Sequence, residues 1–330
     1  MWLDSVTLAA SVMHVLPHLY RAISLNSAQA VAIPIALAGA VFLSFGAEFQ
    51  SRGVTKVEAR RARTDTRRLI GEHTEGLGLG ELTALIRRPS WVSGTVMLGL
   101  AIVLQLTALR FAPLIVVQPL GAIALVVTAV LSSRITRTPV SRMVVRAIAL
   151  CVGGIGVFVT VAAFVATDAP ISDAELLTII VLLAAVLLVF GVLYALLRKR
   201  MTAIAFIIGA GVLYGFVAAI AKTVINRVLQ SQFDWLTAVC LLGLLAAGGG
   251  GLYLVQTAYT VGSPDLVIAG LTVVDPIVAV GIGIAVLHET AQAPWWASIA
   301  FAVAAAVAVF GVFQLARHHP QLTHERAAAP

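Results

Sequence analysis

The stretch from Gln256 to Glu289, QTAYTVGSPDLVIAGLTVVDPIVAVGIGIAVLHE, decides how this chain is read. Gly262-Ser263-Pro264 separates two long apolar runs, with Ser263 placed to cap the second run and Pro264 suited to its first turn. About ten residues further on, in the middle of the apolar run, stands Asp275, followed by Pro276. A carboxylate near the centre of a hydrophobic span costs at least ~3 kcal/mol, so it comes with a partner or a task. Asp275 is therefore the leading substrate-binding candidate. It can hold a cationic group, exchange a proton, pair with a lysine, or serve as a structural carboxylate bonded to a neighbouring helix. Pro276 loosens the helix there and frees a carbonyl one turn earlier.

The rest of the chain has the same character: 60% of its 330 residues are hydrophobic and 11% are charged, with a mean hydropathy of +1.00. Apolar runs near 20 residues read as membrane helices, so the expected fold is an all-α polytopic membrane protein. Nine spans are placed near 30–50, 91–110, 113–133, 143–166, 175–197, 203–226, 236–259, 265–287 and 295–315. A short apolar stretch, Val6 to Leu19, is interrupted by His14, Pro17 and His18 and reads as an interfacial helix or irregular leader. Cys151 and Cys240 lie inside apolar runs without CxxC spacing, which points to packed, unreactive thiols.

Charge sets the orientation. The long connection 51–90 carries nine basic residues among five acidic ones, and 18 of the 22 Lys and Arg fall on one side of the spans. The positive-inside rule then puts the N-terminus outside and the C-terminus in the cytoplasm, in the plasma (inner) membrane. The first part of 51–90 is expected to continue its helix beyond the membrane. No aromatic residue interleaves its charges, so anionic lipid headgroups suit it better than nucleic acid.

A weaker copy of the opening stretch lies at Gln105 to Thr138. With Pro113 set on Pro264, Gln105 falls on Gln256, each eight residues before its proline. An odd number of spans separates the copies, which makes them inverted repeats, the architecture of many secondary transporters. The chain divides into an N-terminal interfacial segment (1–29), a first half-repeat (30–197), a second half-repeat (198–316) and a cytoplasmic tail (317–330). Gly248 to Gly251 permit either close helix packing or a break beside a cavity, while Gly153, Gly154 and Gly156 read as packing.

Other polar groups within spans complete the candidate set. Gln105, Gln118 and Gln256 can bind substrate or bridge helices, and Tyr214 and Tyr259 can line a site or simply pack. Lys222 is placed either to snorkel toward headgroups or to partner Asp275 in a cavity. Glu48 and Arg52 form an interfacial pair one turn apart, and Arg110 reads as a headgroup contact. His288-Glu289 begins like HExxH, but Gln292 stands where the second histidine would be, so no zinc site, no other metal site and no cofactor is expected. Neither a phosphate loop nor a dinucleotide glycine pattern is present in context, which argues against an enzyme.

Two patterns resemble the drug/metabolite transporter superfamily. The spacing Pro264-x11-Pro276-x12-Glu289 is similar to the C-terminal half-repeat of its EamA-type members, where a glutamate closes the helix. FLSFGAEFQSRGV at 42–54 and ALRFAPLIVVQPLGAIALVVTAVLSS at 108–133 resemble the NIPA branch, which is magnesium-transporter-like with nine spans. Within the second of these, Phe111 to Ala122 carries the Ala-Pro-x-x-x-Val-x-Pro-Leu-Gly-Ala signature; Lys222 and Gln256 to Tyr259 also fall where that branch has similar residues. Ile102 and Thr138 stand where the branch carries acids. The resemblance implies a carrier moving a small solute by alternating access. Its alternatives are a divalent-cation (magnesium) transporter, and a flippase or non-transporting membrane partner. The expected partners are a small-molecule or ion substrate and lipid; the sequence sets no oligomeric state.

Overall fold

The computed structural model describes residues 27–65, 88–136, 141–167, 171–197, 201–231, 234–262 and 264–317. These residues form helices and no strand. They are α1 (Ser27–Asp65), α2 (Pro89–Phe111), α3 (Leu114–Gly121), α4 (Ile123–Thr136) and α5 (Arg142–Val165), followed by α6 (Asp173–Leu197), α7 (Ala203–Leu229), α8 (Trp235–Val261), α9 (Pro264–Ala285) and α10 (Trp295–Arg317). Among the described residues, nine segments are long and apolar enough to cross a bilayer, with α3 and α4 together making the third. A helix satisfies every backbone group within its own segment, so an apolar chain adopts it where water is absent. The expected interfacial helix near the N-terminus, the Ser263 cap, residues 66–87 of the basic connection and the tail beyond 317 lie outside the described residues.

The span limits match the sequence expectation to within about two or three residues. α1 also runs on past its apolar part, Ala28–Gln50, to Asp65, so the helix continues beyond the span as expected. One feature differs: the third span is broken. Pro119 lacks an amide, Gly121 is a poor helix former, and the Ala122 amide bonds back three residues to the Pro119 carbonyl. This turn separates α3 from α4.

Helix partners repeat along the chain. α1 packs on α2 and on α3 and α4; six helices later α7 packs on α8 and α9; α5 and α10 pair with each other. Small residues allow the closest of these crossings: Gly154 of α5 rests on the backbone of α10 at Ala304 and Ala308. Gly153 and Gly156 face open space instead. α3 with α4 and α7 are the most enclosed spans, while α6 is the most peripheral. Both cysteines are buried free thiols.

Candidate functional site

α1, α2, α3, α7 and α9 surround a central cavity of about 430 Å³. Its polar lining residues include Gln105 of α2, Gln118 of α3, Tyr214 of α7, and Thr272 and Asp275 of α9. The geometry of α9 explains why Asp275 reaches it. Val274 and Val278 rest on Gly211 and Gly215 of α7, which fixes one face of α9 against that helix. One residue on from Val274 the helix has turned by about 100°, which brings Asp275 to the lining of the hollow. Its Oδ1 is buried and has no hydrogen-bond partner. The following Pro276 removes the amide that would otherwise bond the Thr272 carbonyl, so backbone polarity is added to the lining. On the far side of Tyr214, Gly251 of the unbroken α8 lies flat against the ring, where a methyl group would be 2.8 Å from it. Close packing is thus the role of Gly250 and Gly251, while Gly248 and Gly249 face open space.

A second buried carboxylate has a full set of partners. Glu289, in the connection after α9, accepts hydrogen bonds from the backbone amides of Leu114 (2.8 Å) and Ile115 (2.9 Å). Its Oε1 is 3.0 Å from Lys222 Nζ, and the two side chains are only 2% and 1% exposed. The ammonium also lies 3.4 Å from the Ala112 carbonyl. Glu289 therefore caps the first turn of α3, satisfying amides that have no partner within the helix and meeting its positive end with a negative charge. Its backbone is fixed as well: its amide donates to Gly283 and its carbonyl accepts from Thr167. The preceding His288 takes φ 52°, a left-handed conformation that turns the chain inward here. Gly283 has no side chain for a related reason, since a methyl there would lie 2.6 Å from Glu289 Oε2.

Two further cavities adjoin the centre. One of about 310 Å³ is lined by apolar groups of α5, α9 and α10, and shares Ala122, Thr272 and Pro276 with the central cavity. Another of about 320 Å³ shares Leu43, Gly121 and Thr272, and reaches Ala47, Thr128 and Ala316. Those three residues lie toward the span ends next to the basic connections. The helix break at Gly121 and the Thr272 to Pro276 turn of α9 thus stand where the hollows meet.

The sequence candidates sort clearly by position. Asp275, Gln105, Gln118 and Tyr214 share the central cavity. Lys222, Gln256 and Tyr259 do not line it: Lys222 is engaged with Glu289 rather than Asp275, and Gln256 and Tyr259 lie on an exposed face of α8. Glu48 and Arg52 do pair, at 2.9 Å, and Arg110 is exposed with its guanidinium 5.3 Å from the Phe111 ring. Glu289 was visible in sequence as a helix-closing residue, but not as the partner of Lys222. A third cluster joins the starts of α6 and α8 to the end of α7. Arg227 contacts Asp173 at 2.7 Å and Asp234 at 2.6 Å. The Thr237 backbone amide and hydroxyl, and then Arg227, hold the Asp234 carboxyl below the usual carboxylate range. Among the described residues no group of three or more His, Cys, Asp or Glu could hold a metal ion.

Comparison with known proteins adds two findings. The family model for the magnesium transporter NIPA matches residues 28–241, from α1 into α8. An uncharacterized protein of Corynebacterium glutamicum is 25% identical over 233 residues, which is 69% of this chain and 80% of that protein. No solved structure matches the chain.

Proposed function

The chain belongs to the NIPA magnesium transporter family and is a membrane transporter, and from that premise we propose that it is a secondary carrier for a small cationic solute, bound at Asp275. One observation carries this reading: Asp275 lines a mixed polar and apolar cavity with its buried Oδ1 lacking a hydrogen-bond partner, while the buried Lys222 ammonium is held by another acid. An unpaired negative charge at low dielectric attracts a cation strongly, and neutral oxygens from Gln105, Gln118 and Tyr214 can complete its shell.

The lining favours an organic cation of the drug/metabolite type. Ile102 borders this cavity at a position where the resembled branch carries an acid, so among the described lining residues there is one carboxylate rather than two. The family match favours a second reading, magnesium. With one carboxylate available, Mg²⁺ would bind with most of its water shell retained, as it commonly does. The repeated packing of α1–α5 and α7–α10, with α6 reversing the second set, supports alternating access. The basic connections face the cytoplasm in this reading, with 51–90 near anionic headgroups, and the energy comes from an ion or substrate gradient.

Purified protein in liposomes tests the proposal, with a Mg²⁺-sensitive dye inside and a panel of labelled quaternary and primary amines outside. Amine flux that is lost in Asp275→Asn supports the first reading, and Mg²⁺ flux lost in the same variant supports the second. Absence of both with wild-type protein overturns the carrier.

A further inference from the structure

The partners of the Lys222–Glu289 pair all come from one side of the protein. Ala112, Leu114 and Ile115 follow the end of α2, Thr167 follows α5, Lys222 lies in the last two turns of α7, and Glu289 itself lies between α9 and α10. Alternating span direction puts all four places on the face opposite the basic connections. The cluster stands directly over the central cavity: Leu109 and Ala221 line the cavity, and Lys222 is the next residue after Ala221. On the other face the hollow continues through the cavity that reaches Ala47, Thr128 and Ala316. The protein is thus sealed at one end by a dehydrated ion pair and hollow toward the other.

We propose that the buried Lys222–Glu289 pair is the outer gate of this carrier, closed in this structure, and that it separates when the cavity opens on that side. The inference rests on the carrier reading. Its physical basis is the cost of a buried ion pair. Two charges removed from water are stable only while they face each other with their remaining bonding capacity filled. Here Leu114, Ile115 and the Ala112 carbonyl fill it. Once water enters, each charge is solvated alone and the pair loses most of its hold, so the closed and open arrangements are separate states without stable intermediates. Glu289 joins α3 to the connection between α9 and α10. Its release therefore lets the two sets of helices part at this end while they remain packed elsewhere.

A cavity cysteine reports the gate without requiring transport, so a failed gate and a failed carrier give different results. Ala218→Cys places the reporter in the central cavity, with Cys151 and Cys240 replaced by alanine. Oriented vesicles are treated with a membrane-impermeant trimethylammonium methanethiosulfonate added to one face at a time. With Lys222 and Glu289 intact, labelling is fast from one face and at least tenfold slower from the other. Glu289→Gln raises the slow rate at least tenfold and leaves the fast rate within about twofold. Glu289→Gln alone strands a buried lysine, so Lys222→Met/Glu289→Gln is tested beside it, with both charges removed. The same acceleration in the folded double variant supports the gate. An unchanged slow rate in that variant, with wild-type melting behaviour, overturns it and leaves the pair a structural brace.

Discussion

Asp275 is a half-buried and Glu289 a buried acid of the α9 region, and they differ in their company. Glu289 has a lysine and two backbone amides; the Oδ1 of Asp275 has no hydrogen-bond partner. The first arrangement recovers the desolvation cost within the protein, so the acid needs no ligand. In the second the cost is left standing, and a solute that arrives and departs can offset it. An acid already satisfied by the protein gains nothing from binding a cation, so of the two only Asp275 is suited to that task.

Removing the satisfied acid should have the largest effect on stability. Glu289→Ala strands Lys222 and uncaps α3, which costs about 3–5 kcal/mol and lowers the detergent melting temperature sharply. A melting point equal to wild type would erase the contrast. Gly283→Ala pushes a methyl toward Glu289 Oε2 without touching any charge. It costs about 1–3 kcal/mol by displacing the carboxylate, read from the same melting curves. Asp275→Asn works in the opposite direction: the melting temperature holds or rises, by about 1 kcal/mol of added stability, while transport is lost. A large destabilisation there would show Asp275 to be a brace as well. The smallest effect belongs to the solvent-facing cluster. The folded-state pKa of Asp234 is depressed, so its contribution is complete above the ordinary aspartate range and fades as pH falls through the lowered value. The melting difference between wild type and Asp234→Ala accordingly shrinks on acidification.

Sequence revealed the spans because apolar runs of membrane length have few other fates. It revealed Asp275 because an acid in such a run stands out. Three features stayed hidden for physical reasons. The break after α3 is spelled by Pro119 and Gly121, but the apolar run continues across it, and hydropathy does not register a turn. The Lys222–Glu289 pair joins residues far apart in the chain, and no local pattern encodes which lysine meets which acid. The matched glutamines share a spacing to proline but not a register. α2 ends at Phe111, six residues after Gln105, and α8 ends at Val261, five residues after Gln256. One residue rotates a side chain by about 100°, enough to place Gln105 in the cavity lining and Gln256 on an outward face.

The separateness of α3 has a mechanical consequence. It is a rod about 12 Å long, hinged at Ala112-Pro113 and again at Ala122. Glu289 grips one tip, while Gln118 and Gly121 border the hollow near the other. A tug of one ångström at the gripped tip therefore tilts the whole rod and is felt by a bound solute, with no long helix having to bend. Eight residues are enough to let the door and the seat inform each other.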